Sequence, residues 1–523
     1  MRTATVLDSE NARLLAQADI DGAKTQSERN RLGQFATPPE LAEEVLRSAV
    51  ALMSKSEAID FLDPGIGTGS FFSALLRVAA DRVRTAQGFE IDPAYGERAQ
   101  AIWRDTELRL ELNDFTRAIA DDHGLSNLVV CNPPYVRHHH LASDEKVRLQ
   151  RLASQRTGIM PGGLSGLYCY FLLLADTWMR DDGIAAWLIP SEFMDVNYGQ
   201  ALKEYLLDRV TLIRVHRFDP ADVQFGDALV SSAVLLFRKA SPRAGHLAEF
   251  SFGRSLLSPK TTSRFSLEEL RTTRKWTRLP LNGRARSKQP QWVLGDLFTV
   301  KRGVATGSNE FFVLPESRAA ELRLPRSLLK PILPSPRYLA TDEVRSDAHG
   351  VPRVDRRLFL LSCRLPEQHV RHEYRNLWDY LQSGIAMGID QRYLCRARSP
   401  WYSQEHREPA PIVCTYMGRE GTNGRPFRFI LNDSKATAAN VYLMMYPRPI
   451  LAEILSKEPS ALERIWRMLQ DLTPDQLMSE GRVYGGGLYK LEPRELLNVS
   501  ADAIVSTLGD LLLAKPGDRT LFL

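Results

Sequence analysis

Four consecutive residues, Asn132, Pro133, Pro134 and Tyr135, carry the most specific chemistry in the chain. The two prolines lack N–H groups and fix their own φ, so the loop is stiff and offers the Asn132 amide oxygen and the Pro133 carbonyl as convergent acceptors. Two acceptors suit a planar substrate bearing an –NH2 group with its two donors. Tyr135 supplies a flat face on which such a ring can stack. An ordinary turn begun by Asn-Pro is the competing reading of the same residues.

A second set lies upstream. Asp63 is followed by Gly65, Gly67 and Gly69 in DPGIGTGS, a turn in which glycine lets backbone pass close to a ligand and the next helix start favours electron-rich groups. Glu90, in GFEID, comes 27 residues after Asp63, where a carboxylate can accept hydrogen bonds from both hydroxyls of a ribose. Asp114 and Phe115, in LNDF, offer a carboxylate to an adenine amino group and a ring to its face. A nicotinamide dinucleotide stays open as the cofactor, although Ser70 stands where the last glycine of GxGxxG would fall.

These side chains can act together only if the fold brings them to one edge. Apolar, β-rich runs at 58–63, 85–90, 107–112, 127–131, 183–190 and 210–218 alternate with helical periodicity over 70–80, 93–103, 167–179 and 198–207. Strict alternation predicts an α/β fold, a doubly wound, Rossmann-like, mostly parallel sheet. Asp63, Glu90, Asp114 and Asn132 then fall at the ends of successive strands, the edge at which such sheets bind ligands. The run 228–239 follows the sixth strand with no helix between, which predicts a terminal antiparallel strand.

At 523 residues the chain exceeds the usual span of one hydrophobic core, so at least two domains are expected. The expected division is 1–240 as the catalytic domain, 241–291 as a basic linker or peripheral segment, and 292–523 as a second domain of mixed structure. Residues 1–240 hold 26 Lys and Arg against 33 Asp and Glu, and residues 241–523 hold 42 against 30. A mildly acidic half joined to a basic one points to a polyanionic partner for the second. No run of 18 apolar residues and no secretory start are found, which predicts a cytoplasmic protein that does not meet a membrane. The five cysteines are scattered without paired spacing, and His138, His139 and His140 are consecutive and so ill placed to converge on one ion; no metal is expected.

The order QFATPP (34–39), DPGIGTGSF (63–71), GFEID (88–92), LND (112–114), NPPY (132–135) and a basic C-terminal half resembles the gamma-class adenine-N6 DNA methyltransferases of bacterial restriction-modification systems, the TaqI methylase type. Segments 295–314 and 483–496 are similar, more loosely, to target-recognition regions of those enzymes. The resemblance implies S-adenosyl-L-methionine as cofactor. It places Phe35 and Thr37 at the closure of its site, Asp63 and Gly65 by the methionine portion, Glu90 on the ribose, Ile91 against the adenine, and Asp114 and Phe115 at its polar edge, with Gly67 also among the cofactor-binding residues. Asn132, Pro133 and Tyr135 would hold the target adenine, with Phe225 as a second aromatic.

The same resemblance implies methyl transfer by base flipping and direct displacement on double-stranded DNA, a C-terminal DNA-recognition domain, a monomer when methylating, and a separate cognate restriction endonuclease. Only about 30 residues precede QFATPP and no nuclease motif is visible, so a fused nuclease is not expected. Related enzymes with the same tetrapeptide that methylate glutamine or ribosomal RNA are the same-chemistry alternative. A non-catalytic DNA-specificity protein is the alternative of another class, and it would leave Asn132, Pro133 and Tyr135 without a purpose.

Overall fold

Strand β1 (Ile59–Asp63) is buried at every position, as an apolar run at the centre of a parallel sheet must be. Around it the computed structural model, which describes residues 3–219, 231–279, 290–419, 425–478, 480–484 and 488–508, builds a sheet from β2 (Val83–Glu90), β3 (Leu108–Leu112), β4 (Ser126–Cys131), β5 (Met179–Pro190), β6 (Thr211–Phe218), β7 (Ser232–Arg238), β8 (Leu247–Gly253) and β9 (Thr261–Ser266). The order is β3-β2-β1-β4-β5-β7-β6-β8-β9. Strands β3, β2, β1, β4 and β5 pair in parallel. The fold is α/β, as the alternation of the sequence predicts.

Helices cover both faces. One core joins α1 (Thr3–Ala23), α3 (Pro39–Val50), α4 (Ser70–Ala79) and α5 (Pro93–Ile102) to the sheet through Val6, Leu46, Phe72 and Ala99. The other joins α6 (Ser143–Thr157), α7 (Leu167–Leu174), α8 (Gln200–Asp208) and α9 (Leu267–Thr272) through Leu149, Leu172, Leu206 and Leu270. Between α1 and α3 lies α2 (Gln26–Leu32), closed by a Thr25/Glu28 capping box and by Gly33 in the left-handed region.

The antiparallel return after the sixth strand is β7, which lies between β5 and β6 and pairs antiparallel with both. Where a linker or peripheral segment was expected over 241–291, β8 and β9 extend the sheet: β8 runs parallel to β6, and β9 antiparallel to β8. Their disguise is physical. Strand β9 sits at the edge with Phe265 as its one buried residue, so its sequence TTSRFS reads as polar.

The chain divides into two compact units, residues 1–286 with 484–486 and residues 287–483 with 487–523. In the second, Phe298–Arg302, Tyr442–Pro447, Ile412–Thr415, Phe429–Asp433 and Glu343–Arg345 form, in that order, a five-stranded sheet. Two further three-stranded sheets form within residues 313–361 and 417–490. The helical pattern at 450–472 becomes two helices, Pro449–Lys457 and Ala461–Gln470, broken before Ser460 where Pro459 cannot continue the first.

Candidate functional site

The ends of β1, β2, β3 and β4 converge on a cavity of about 570 Å³, within the range of small-molecule sites. The glycine loop after β1 forms one wall. Gly67 and Gly69 have φ of 56° and 97°, and a Cβ at Gly69 would lie 2.5 Å from Trp103 Nε1, so this path excludes other residues. Trp103 Nε1 donates to the Thr68 carbonyl at 2.9 Å and secures the turn from behind.

Two carboxylates serve the loop. Glu90 accepts from Gly67 N at 3.0 Å and from Asp92 N at 2.8 Å, and burial holds its carboxyl above the ordinary glutamate value, assisted by the charge of Asp92. Asp63 is buried behind Pro64 and Gly65 and accepts from Gly65 N at 3.1 Å. Its pKa is pushed up to about 7, chiefly by burial and further by the charge of Glu90, against the hydrogen bonds of Gly65 and Cys131.

Asn132 follows β4 directly and lines the cavity. Its Nδ2 donates to the Phe35 carbonyl at 2.9 Å and to Thr37 Oγ1 at 3.1 Å. A carbonyl can only accept, so the nitrogen must face Phe35 and the oxygen must face away. Asn132 Oδ1 is buried and has no hydrogen-bond partner in the protein, an arrangement that costs free energy unless a donor arrives from outside. Tyr135 is buried, its ring tilted against Phe35 at 5.6 Å, and its hydroxyl donates to the Leu188 carbonyl at 3.1 Å.

Of the residues expected at a site, Phe35, Gly65, Gly67, Glu90, Ile91, Asp114, Phe115 and Asn132 line this one cavity. Ile91 is 69% exposed there, an apolar surface open to a ligand ring. Asp114 caps its own turn, with Oδ1 accepting from Thr116 N at 2.9 Å, and Phe115 packs below between Phe89 and Phe171, each at 5.5 Å. Thr37, Asp63, Pro133 and Tyr135 are buried and are not among the residues that line the cavity, and Phe225 lies outside the described residues.

Sequence reasoning missed the part played by the N-terminal helix. Gln17, Gln34, Asp92 and Tyr95 also line the cavity. Thr68 Oγ1 donates to Gln17 Oε1 at 2.8 Å, and Tyr95 Oη to Asp21 Oδ1 at 2.8 Å. Arg13, 1% exposed, pairs with Glu10 and donates to Ser70 Oγ at 2.9 Å. A helix whose buried positions include an ion pair shows little apolar periodicity, although the capping box TQSE and Gly33 were legible signals for α2.

Residues 90–224 match the family model described as Eco57I restriction-modification methylase, and residues 274–512 match that of the C-terminal domain of the Type II methyltransferase M.Eco57I. The chain is 28% identical over 477 residues to the Type II methyltransferase M.XamI of Xanthomonas campestris pv. amaranthicola, covering 89% of this chain and 84% of that one. It is 26% identical over 498 residues to M.AccI of Acinetobacter calcoaceticus, covering 92% and 87%. Among solved structures, the Type IIL restriction-modification enzyme MmeI, solved in complex with DNA, has a similar fold, with a TM-score of 0.50 at 11% identity over 87% of this chain and 63% of that chain. Matched by these two models along most of its length, and aligned with both relatives across both of its units, the chain belongs to the methyltransferases of restriction-modification systems.

Proposed function

We propose that the protein transfers a methyl group from S-adenosyl-L-methionine to the N6 amino group of adenine in duplex DNA, protecting host DNA from a separate cognate endonuclease. The observation that carries this reading is Asn132 Oδ1, buried and unpartnered at the wall of the cavity that Glu90, Ile91 and Asp114 also line. The residues fit the cofactor: Glu90 for its ribose, Ile91 and Phe115 for its adenine, Asp114 for the exocyclic amine, and Gly65 and Gly67 with Asp63 behind them for its methionine portion. Bound there, it supplies an electrophilic methyl group.

Asn132 Oδ1 and the Pro133 carbonyl accept from the target amine and hold its lone pair toward that methyl group, and the attack is a direct displacement. The catalytic domain is 1–240 together with β8 and β9, which complete its sheet; it acts as a monomer, with 292–523 recognising DNA. The compartment is the cytoplasm, and no helix among the described residues is long and apolar enough to cross a membrane. The direct test is nucleoside mass spectrometry of duplex DNA treated with the purified protein and cofactor. N6-methyldeoxyadenosine is expected; methylcytosine alone, or methylation of protein or RNA alone, would overturn the reading.

A pH dependence follows from Asp63. A cation in the cavity favours the ionised form of a carboxyl whose pKa lies at about 7, and by linkage the ionised form favours the cation. Cofactor affinity is therefore expected to fall as pH drops through 7, approaching about tenfold per unit on the acid side. Binding near pH 7 should release a fraction of a proton, measurable by calorimetry in buffers of different ionisation heats. Asp63→Asn should abolish both effects, and an unchanged proton release in that variant would remove Asp63 from the site.

Base extrusion gives another. The amine of a paired adenine is engaged in the helix, and rotating it out costs a few kcal/mol, comparable to the ~1–3 kcal/mol of stacking on an aromatic face. Tyr135→Ala is therefore expected to slow methylation of a normal duplex more than of one whose target adenine is mispaired. With 2-aminopurine at the target, the native protein should quench part of the brightening that extrusion produces. Equal losses on both duplexes would leave Tyr135 a purely packing residue.

A further inference from the structure

We infer that the segment Gln34–Thr37 is a positioning strap that sets which end of the Asn132 amide faces the substrate, and that Thr37 acts on the catalytic amide rather than on the cofactor. This inference rests on the proposed role of Asn132. The two ends of an asparagine amide are nearly isosteric, and only their hydrogen-bond partners distinguish them. Presented nitrogen-first, the group would set its donors against the donors of an incoming amine. The Phe35 carbonyl and Thr37 Oγ1, at 2.9 and 3.1 Å, take both hydrogens of Asn132 Nδ2. Both donors are thus spent inside the protein, and an acceptor is left toward the cavity.

The strap is itself held at its other end. Gln34 Nε2 donates to Asp92 Oδ2 at 2.8 Å, and Lys24 Nζ donates to Gln34 Oε1 at 3.1 Å and pairs with Asp92. Tyr135 N donates to the Gly33 carbonyl at 3.1 Å. Gly33 has φ +66°, and a Cβ there would lie 2.3 Å from Tyr135 N, so the strap lies flat on the 132–135 loop. A continuous path of hydrogen bonds and backbone therefore runs from Asp92, two residues beyond Glu90, through Gln34 and Phe35 to Asn132. Thr37 is buried and is not among the residues that face the cavity.

The test compares Thr37→Val, which keeps the shape and removes the hydroxyl, with Thr37→Ser, which keeps the hydroxyl. Each full-length variant, checked for a native melting curve, is assayed for cofactor Kd by calorimetry without DNA and for the single-turnover methylation rate at saturating cofactor. Thr37→Val is expected to slow transfer at least about tenfold, the lower part of the range for one lost preorganised electrostatic contact, while Kd changes less than about threefold. Thr37→Ser should recover the rate. In an Asn132→Ala background Thr37→Val should add nothing, because the two act as one unit. A loss of cofactor affinity as large as the loss of rate would make Thr37 a cofactor contact and overturn the inference, as would an unchanged rate or an additive double variant. If Asn132→Ala alone left the rate intact, it is the proposed function that would fail, which separates the two outcomes.

Discussion

Asn132→Ala is expected to slow the chemical step by more than about 100-fold, the scale of removing one preorganised donor or acceptor from a developing charge. The amide oxygen is buried and unpartnered, so it pays its desolvation in advance and returns it when the amine donates and its nitrogen becomes positive in the transition state. Cofactor binding should change far less, because the contacts assigned to the cofactor come from β1, β2 and β3. Single-turnover transfer of a labelled methyl group to a saturating duplex isolates that step. The assignment would be falsified if Asn132→Ala methylated DNA at near the native rate. Asn132→Asp is a sharper variant: it keeps an acceptor but places a carboxylate beside the Phe35 carbonyl, where the amide now donates, and should be as impaired as the alanine variant.

Duplex affinity is expected to fall by about 10³ to 10⁵ between 50 and 200 mM salt if some 6 to 10 phosphates are neutralised, because each contact releases condensed counterions with a log–log slope of about −0.9. The charge lies in residues 241–523, where 42 Lys and Arg face 30 Asp and Glu. Arg356 stacks over the ring of Tyr338 at 3.7 Å, with Arg337 over the same ring at 4.8 Å, and Tyr338 is 41% exposed. Such a cluster presents cations without burying them. Fluorescence anisotropy across a salt series gives the slope. A chain ended after Leu279, which keeps β8 and β9 paired in the catalytic sheet, should bind cofactor and lose site preference. Undiminished preference in that shortened chain would remove DNA recognition from the second unit.

How much of this was legible in the residues themselves differs from one element to the next. The fold class and the order of the site followed from local pattern. Apolar runs such as NLVVC and VTLIRVHRF, alternating with amphipathic helices, have few other ways to bury their surfaces, and the ends of the six alternating strands were correct to within about two residues except at β5, which begins four residues earlier than expected; β7 begins at Ser232, four residues into the expected run 228–239, whose first residues lie outside the described ones. Asp63, Glu90, Asp114 and Asn132 could be expected near one another because a doubly wound sheet brings its strand ends to one edge whatever the loops do. Pro133 and Pro134 announced a stiff loop, since a missing N–H is a property of the residue and needs no partner.

What lay beyond local pattern were features whose cause is a partner distant in the chain. Strand β9 reads as polar because it is an edge, and being an edge is a fact about the sheet. Helix α1 conceals its buried face because Arg13 is neutralised by Glu10 and satisfied by Ser70, 57 residues away. Thr37 illustrates the limit best. The family resemblance placed it by the cofactor, and only the fold shows its hydroxyl 3.1 Å from the nitrogen of Asn132, 95 residues later. Sequence by itself determined which chemical groups this protein possesses and at which edge they meet. Tertiary structure decided which end of the Asn132 amide is left free, because hydrogen-bond satisfaction is settled by neighbours in space.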